Sequence, residues 1–398
     1  MTTSVAVASR SSVSRWLVLG SYALLAATTQ LLWLTFAAVD TRSAAAMHVD
    51  VGLVGDLAAV FPFVYIVLAL PTGRWLDMSF TRALGAGALL TAAGALVRLV
   101  SPESFAWQLA GQLVISAGQP LVLNSITKVA ARHFAPHERA TAISIGTAAL
   151  FVGILAAVVM AGPIFDAGGL RLLVWLQAAP AVVSAALVLV AFRTPAAYPD
   201  DPSAAVSLRW LAGDRFMWLL AGLVFIGMGT YNVVATWLQP ILAHFGEGDA
   251  AGNLIAVLTF ADVVGAAVLP TAAARRDRRH SLLILALGVS AAAFVAVAAV
   301  HNVVWTGIWL FGAGFFLLAA LPVVLDWADV HAGPERQGGA VGFLMMAGNL
   351  GGLLLVLLVQ VVIGNAYVAL AVVVAIALVG VPVALRLPSH GAPRSVKD

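Results

Sequence analysis

Twelve long apolar runs, separated by short polar stretches, make up most of this 398-residue sequence. Each run holds about 20 residues or more, the length that a helix rising about 1.5 Å per residue needs to cross about 30 Å of hydrocarbon. The runs are 16–39, 50–71, 83–100, 105–131, 140–162, 170–193, 215–243, 250–274, 281–300, 304–329, 338–363 and 366–386. Because backbone polar groups in lipid must find partners within the protein, the pattern predicts an all-α integral membrane protein with twelve transmembrane helices.

The composition excludes several functional classes. Of the residues, 62% are hydrophobic and 10% are charged, against about 25% charged in a soluble domain, so the excess apolar surface must face lipid. The lack of cysteine excludes disulfides, thiolate metal sites and cysteine nucleophiles. The sequence has no zinc-ligand spacing, phosphate loop, nucleophile elbow or catalytic cluster at membrane depth, so we expect no enzyme, cofactor or metal. The basic residues are scattered through short loops, which argues against nucleic-acid binding.

The basic residues also predict the orientation of the chain. If the N-terminus is cytoplasmic, eighteen Lys and Arg residues fall on inner segments, and only Arg42, Arg98 and Arg171 fall near the outer side. The positive-inside rule therefore favours a multi-pass protein of the cell membrane with both termini in the cytoplasm. We expect a monomer in the lipid bilayer.

Two features divide the chain in half. Pro195–Gly213 is the longest polar segment, lies at the midpoint and is typical of a linker. The stretch from His133 to Arg139 is echoed by the stretch from His331 to Arg336, and their Glu-Arg pairs are 197 residues apart. The predicted domains are an N-terminal six-helix half (1–193), a cytoplasmic linker (194–213) and a C-terminal six-helix half (214–398). Two similar halves are typical of two-repeat transporters, whose substrate site lies between the halves near mid-membrane.

The polar stretch Pro71–Arg82 lies between the second and third runs, where we expect a loop. Gly73, Asp77 and Arg82 follow one another in an order that resembles the loop signature of the major facilitator superfamily, Gly-x-x-x-Asp followed by basic residues. The second glycine of that signature is missing. The resemblance implies the major facilitator fold, transport by alternating access, and a cytoplasmic gate that is broken when the cavity opens inward.

Acidic residues at the inner ends of helices are the candidates for that gate. Asp77 has Arg139 and the start of the eleventh helix as candidate partners. Asp326 and Asp329 are three residues apart and share one face at the inner end of the tenth helix. Their neighbour by topology is the basic loop 275–280, so we predict a structural ion-pair cluster there.

Local stretches in four helices resemble one branch of the superfamily, the feline leukaemia virus subgroup C receptor-related branch. They are Leu32–Ala37 in the first helix, Gly111–Gln112 and Ala117–Pro120 in the fourth, Tyr231 with Gln239 in the seventh, and Gly314–Phe316, Leu321–Pro322, Asp326 and Asp329 in the tenth. The resemblance implies facilitated movement of choline-like or related small organic solutes, and haem export is also attributed to this branch.

Carried over position by position, the resemblance implies a substrate cage of Trp33, Gln119, Tyr231 and Asn349, the last where the branch has a glutamine. The shorter asparagine leaves open whether the pocket or the ligand differs. Trp33 and Tyr231 are 198 residues apart, so the repeat makes them equivalent, and two such rings can hold a cation at about 0.5–2 kcal/mol per contact. The alternative is that both are ordinary packing or interfacial aromatics. Lys128, further along the helix of Gln119, is expected only to line the exit.

Asp262 lies near the middle of the eighth run, far from other charges. A carboxylate at the bilayer centre costs about 2.5–3.5 kcal/mol on insertion scales, so it must face water, pair with another group or be protonated. The resemblance gives it no role. The alternatives are a counter-ion for a cationic substrate, a proton-coupling site, and a structural residue bonded to a neighbouring helix.

The leading hypothesis is a carrier that moves a small organic cation or amine-bearing metabolite by alternating access. The second is a proton-coupled exporter of drugs or metabolites with the same fold. A receptor or scaffold that transports nothing is disfavoured by the short loops. The sequence leaves choline, ethanolamine, thiamine and haem open as substrates, as well as the direction of transport.

Overall fold

A computed structural model describes residues 2–198, 208–317, 319–333 and 335–388. Within these ranges the regular secondary structure is helical, and no strand is present. The α-helices are α1 Thr2–Trp33, α2 Asp40–Met47, α3 Val51–Met78, α4 Phe80–Arg98, α5 Phe105–Leu123, α6 Ile126–His133, α7 Arg139–Ala191, α8 Arg209–Gly213, α9 Arg215–His244, α10 Ala251–Arg275, α11 Arg279–Ala299, α12 Val303–Leu317, α13 Ala320–Ala332, α14 Gln337–Val362 and α15 Ala366–Leu385.

Eleven helical segments of the described chain are long and apolar enough to cross a membrane. The longest, Pro136–Ala191, is interrupted inside α7, where Gly168 and Gly169 leave helical geometry. Gly169 has a φ of 65°, a left-handed conformation that residues with a Cβ rarely adopt. This break divides α7 into the predicted fifth and sixth helices, so the prediction of twelve membrane helices is confirmed.

The loop predicted at Pro71–Arg82 is much shorter than expected. α3 continues to Met78, and Ser79 alone separates it from α4. The Ser79 amide still donates to the Trp75 carbonyl at 2.8 Å. Hydropathy marks where apolar side chains stop, whereas a helix continues as long as its backbone bonds are made. Gly73 and Asp77 therefore lie on the last turns of α3, and Arg82 lies on the first turn of α4.

The first membrane helix ends earlier than predicted. The run was expected to be helical to residue 39, but α1 ends at Trp33. The Leu32 carbonyl accepts hydrogen bonds from the side chains of Thr35 and Arg98. Residues 34–39 form tight turns, in which the Val39 amide donates to the Phe36 carbonyl three residues back. A side chain that captures a helical carbonyl competes with the backbone bond that would continue the helix.

The chain divides into two compact units, Met1–Val206 and Ser207–Asp398. In the first unit the main helix pairs are α1–α7, α4–α5, α3–α5 and α4–α7. In the second unit the main helix pairs are α9–α14, α11–α12, α10–α12 and α11–α15. Taken in this order, each pair joins the helices that the repeat makes equivalent to those of the corresponding pair in the first unit. Residues 199–207 of the predicted linker, and Pro334 of the repeated motif, lie outside the described residues.

Glycines permit the close approach of α4 and α5. A Cβ added to Gly94 would lie 2.7 Å from the carbonyl oxygen of Gly111, closer than such atoms can approach. Gly94 and Gly111 therefore bring the two backbones into contact, as is common between membrane helices. The same two helices carry Arg98 and Gln119.

Candidate functional site

Trp33 is the last residue of α1, and its side chain is half-buried. Its indole N–H donates to the carbonyl of Ala58 on α3 at 2.8 Å. The ring lies 4.7 Å from the ring of Phe61, centroid to centroid, at an interplanar angle of 49°. The ring is therefore fixed at its nitrogen by one bond and along one side by a second aromatic residue.

Gln119 lies on α5 and is fully buried. Its Nε2 donates to the carbonyl of Thr29 at 2.8 Å, one turn of α1 before Trp33. Its Oε1 is buried and has no hydrogen-bond partner among the described residues. Gln119 of α5 thus contacts the last turn of α1, the turn that ends at Trp33. Its Oε1 is a buried acceptor that a donor group can satisfy.

Tyr231 and Asp262 lie close together in the second unit. The Tyr231 hydroxyl is 3.3 Å from Thr259 Oγ1 on α10, and Thr259 Oγ1 donates to the Ile255 carbonyl at 2.9 Å. The tyrosine therefore donates to the threonine. Asp262, three residues further along α10, is 0% exposed and lies on the same helix face as Thr259. An aromatic ring and a buried carboxylate thus share one region of α9 and α10.

Asn349 is buried on α14, a helix that packs along α9. Its Nδ2 donates to the Met345 carbonyl of its own helix at 2.9 Å. That bond uses one of the two N–H donors of the Asn349 amide. Trp33 and Gln119 belong to one unit, and Tyr231 and Asn349 to the other, so their convergence on one pocket stays a prediction.

The candidate gate of the first unit contains an ion pair that the sequence did not reveal. Lys128, expected only to line the exit, is fully buried, and its Nζ lies 3.1 Å from Asp77 Oδ1. That expectation is wrong, because a buried ammonium needs an opposite charge. Arg139, a predicted partner of Asp77, donates to the Ala131 carbonyl at 3.4 Å. Gly73 is buried and Arg82 is exposed.

In the second unit the basic loop contacts Asp326 as predicted. Arg279 donates through Nε at 2.8 Å and Nη2 at 2.6 Å to the same carboxylate oxygen. Asp329 is buried on the same helix, α13. The contact is confirmed, whereas a role in gating stays a prediction for Asp326 and Asp329, as it does for Gly73, Asp77, Arg82 and Arg139.

Each unit has a further side-chain contact between its first long helix and the repeated motif, which is His133–Arg139 in the first unit and His331–Arg336 in the second. Arg15 of α1 donates to Glu138 at 2.7 Å, and Asp214, the N-cap of α9, lies 2.6 Å from His331 Nε2. The internal repeat is a sequence signal for the paired residues Lys128 and Asp326. They are 198 residues apart, the same spacing as Trp33 and Tyr231.

The sequence profile of the Major Facilitator Superfamily matches residues 18–356. The chain therefore belongs to this superfamily and is a multi-pass membrane transporter. Within the superfamily it resembles the feline leukaemia virus subgroup C receptor-related branch. It is 28% identical to solute carrier family 49 member A3 of Danio rerio over 369 residues, which cover 87% of this chain and 78% of the relative. It is 21% identical to the human choline/ethanolamine transporter FLVCR2 over 369 residues, 85% of this chain and 70% of that protein.

Solved structures show the same fold. The human organic anion transporter MFSD10 aligns with a TM-score of 0.75 at 16% identity, covering 92% of this chain and 97% of the other. A bacterial homologue of the iron transporter ferroportin, in an outward-facing state, aligns with a TM-score of 0.76 at 14% identity, covering 94% and 98%. At these identities the likeness shows the fold alone.

Proposed function

We propose that this transporter moves a small organic solute, a choline-like or other amine-bearing cation, by alternating access. One observation carries the proposal: in the second unit a fully buried carboxylate, Asp262, lies one turn of α10 beyond Thr259, the residue that the Tyr231 hydroxyl contacts. A ring face and a carboxylate both attract cations. The similarity to choline/ethanolamine transporters supports the same substrate class.

The first unit supports the proposal with complementary groups. Trp33 offers a second ring whose position is fixed by the Ala58 carbonyl and by Phe61. Gln119 offers a buried acceptor oxygen that has no hydrogen-bond partner in the described part of the chain. A hydroxyl or ammonium group on the substrate would donate to that oxygen, and the ring would contact the cationic headgroup. Asn349 is proposed as the fourth cage residue.

Uptake of radiolabelled choline by proteoliposomes that contain the purified protein tests this proposal, with ethanolamine, thiamine and haem as competitors. Trp33→Ala should weaken choline binding by about 0.5–2 kcal/mol, the range for one cation–π contact. The matched control is Trp175→Ala, because Trp175 lies on α7 and is largely exposed on the outside of its unit. Unchanged choline affinity in both Trp33→Ala and Tyr231→Ala would remove the cage.

The burial of Asp262 also favours a second candidate, a proton-coupled exporter. A buried carboxylate that faces a cavity is a common proton site in transporters. If Asp262 exchanges protons, native transport should depend on an imposed pH gradient and accept a broad range of apolar solutes. If it is a counter-ion, transport should require a cationic headgroup and proceed without that gradient.

We also propose that the protein lies in the cell membrane as a monomer with both termini in the cytoplasm. The eighteen-to-three distribution of basic residues supports this orientation. In this orientation the Asp77–Lys128 and Arg279–Asp326 pairs lie on the cytoplasmic side, where we propose that they contribute to the gate.

A further inference from the structure

Arg98 is a buried cation outside the candidate cage. It is the last residue of α4 and is 1% exposed. Its Nη1 donates to the Leu32 carbonyl at 3.1 Å and to Thr35 Oγ1 at 3.0 Å, and its Nη2 donates to Gln112 Oε1. Its guanidinium carbon lies 5.5 Å from the centroid of the Phe36 ring. Burying a guanidinium is costly unless its donors are satisfied. Both Nη atoms of Arg98 donate hydrogen bonds, whereas its Nε is buried with no hydrogen-bond partner among the described residues.

The contacts of Arg98 with the Leu32 carbonyl and with Thr35 Oγ1 determine where α1 ends. In a continuing helix the Leu32 carbonyl would accept from the amide of Phe36. Here it accepts from Arg98 at 3.1 Å, and the Thr35 hydroxyl, whose one proton is shared between this carbonyl and Gln177 Oε1, lies 2.9 Å away. A basic side chain at a helix C-terminus also interacts favourably with the partial negative charge of the last carbonyls. Arg98 therefore caps α1 at the carbonyl that directly precedes Trp33.

The third contact of Arg98, with Gln112, connects it to the part of α3 that binds the Trp33 side chain. Gln112 accepts from Arg98 and donates through Nε2 to the Leu57 carbonyl of α3 at 2.9 Å. The next carbonyl of α3, that of Ala58, accepts the indole N–H of Trp33. The same guanidinium thus holds the backbone that carries Trp33 and, through one amide, the backbone that receives its side chain.

We propose that Arg98 is a positioning residue for Trp33: by joining the end of α1 to α3 through Gln112, it sets the orientation of the ring at the substrate site. The role of Trp33 in this statement rests on the proposed function. Lysine cannot replace the arginine here, because one ammonium on a flexible stem cannot present the planar fork that reaches the Leu32, Thr35 and Gln112 acceptors together.

Thiol labelling tests the structural part of the proposal without a substrate, since the native chain has no cysteine. Ala38 is exposed in the turns that follow α1, and Gly364 is exposed between α14 and α15 in the other unit. Arg98→Lys should raise the maleimide labelling rate of Ala38→Cys severalfold and leave that of Gly364→Cys unchanged. An unchanged rate at Ala38→Cys, or an equal rise at both positions, would overturn the proposal, since the latter indicates general loosening.

Choline uptake by proteoliposomes tests the functional part. Arg98→Lys should raise KM for choline by about tenfold with a smaller effect on the maximal rate, because a misplaced ring weakens binding. Gln112→Leu, which keeps the arginine, should act in the same direction, and the double variant should add little to either change. Should Arg98→Lys not fold, Gln112→Leu carries the test with the same readouts. An unchanged KM in these variants would contradict the proposal, whereas absence of choline uptake by the native protein would overturn the proposed substrate and leave the labelling result to decide the role of Arg98.

Discussion

The Asp77–Lys128 pair allows a quantitative prediction of stability. Lys128 is 0% exposed, whereas the side chain of Asp77 is 8% exposed. Asp77→Asn leaves the ammonium buried without its carboxylate partner, which should reduce the free energy of unfolding by about 3–5 kcal/mol. Lys128→Met leaves a carboxylate that water can partly reach, so its cost should be smaller, about 1–3 kcal/mol. The double variant should be more stable than the sum of the two losses predicts, because neither charge then remains.

Unfolding of the purified protein in detergent mixed with dodecylsulfate measures these differences. The control is the Arg42–Asp166 pair of the same unit, whose side chains are 43% and 70% exposed. Removing either member of that exposed pair should change stability by no more than about 1 kcal/mol. Additive losses at Asp77 and Lys128, within about 0.3–0.5 kcal/mol, would refute the claim that the two charges stabilise each other.

Two further predictions concern Asp262 and the orientation of the chain. Asp262→Asn should abolish either cation selectivity or pH dependence while the protein stays folded; wild-type transport at every pH, with the same substrate preference, would leave only a structural role. For orientation, an impermeant maleimide applied to intact cells should label Gly246→Cys, between α9 and α10, but not Ser203→Cys, which lies outside the described residues. Labelling of Ser203→Cys from outside would contradict the cytoplasmic linker.

The membrane helices could be predicted from the sequence because lipid imposes a length and a composition on each of them. Their ends could not be predicted as well, because they depend on particular hydrogen bonds. α1 stops at Trp33 since Arg98, distant in the sequence, binds the Leu32 carbonyl. α3 continues to Met78 past the point where apolar side chains give way to polar ones, although the Asn124 side chain donates to its Ala69 carbonyl there.

The residues of the candidate site were predicted chiefly from the resemblance, whereas the groups that they contact in the folded protein were not predicted. The sequence marks Trp33 and Gln119, but not that Trp33 donates to the Ala58 carbonyl of α3 and Gln119 to the Thr29 carbonyl of α1. Backbone acceptors carry no residue-type signal, so such contacts are invisible before folding. For Asp262 the position in its apolar run predicted a carboxylate that faces water, pairs with another group or is protonated, whereas its place one turn from the Tyr231 contact at Thr259 required the packing of α9 against α10.

The repeat places a buried, paired charge at equivalent positions of the two units. Lys128 and Asp326 occupy positions 198 residues apart, and each is buried and paired, yet one is a cation and the other an anion. Their partners also differ in place: Asp77 lies near the end of α3, and Arg279 begins α11. A repeat preserves how helices pack, and a buried charge at a packed position needs an opposite charge within reach, but its sign is free. The equivalent position therefore predicts that a charge is paired, and only the folded contacts show with what.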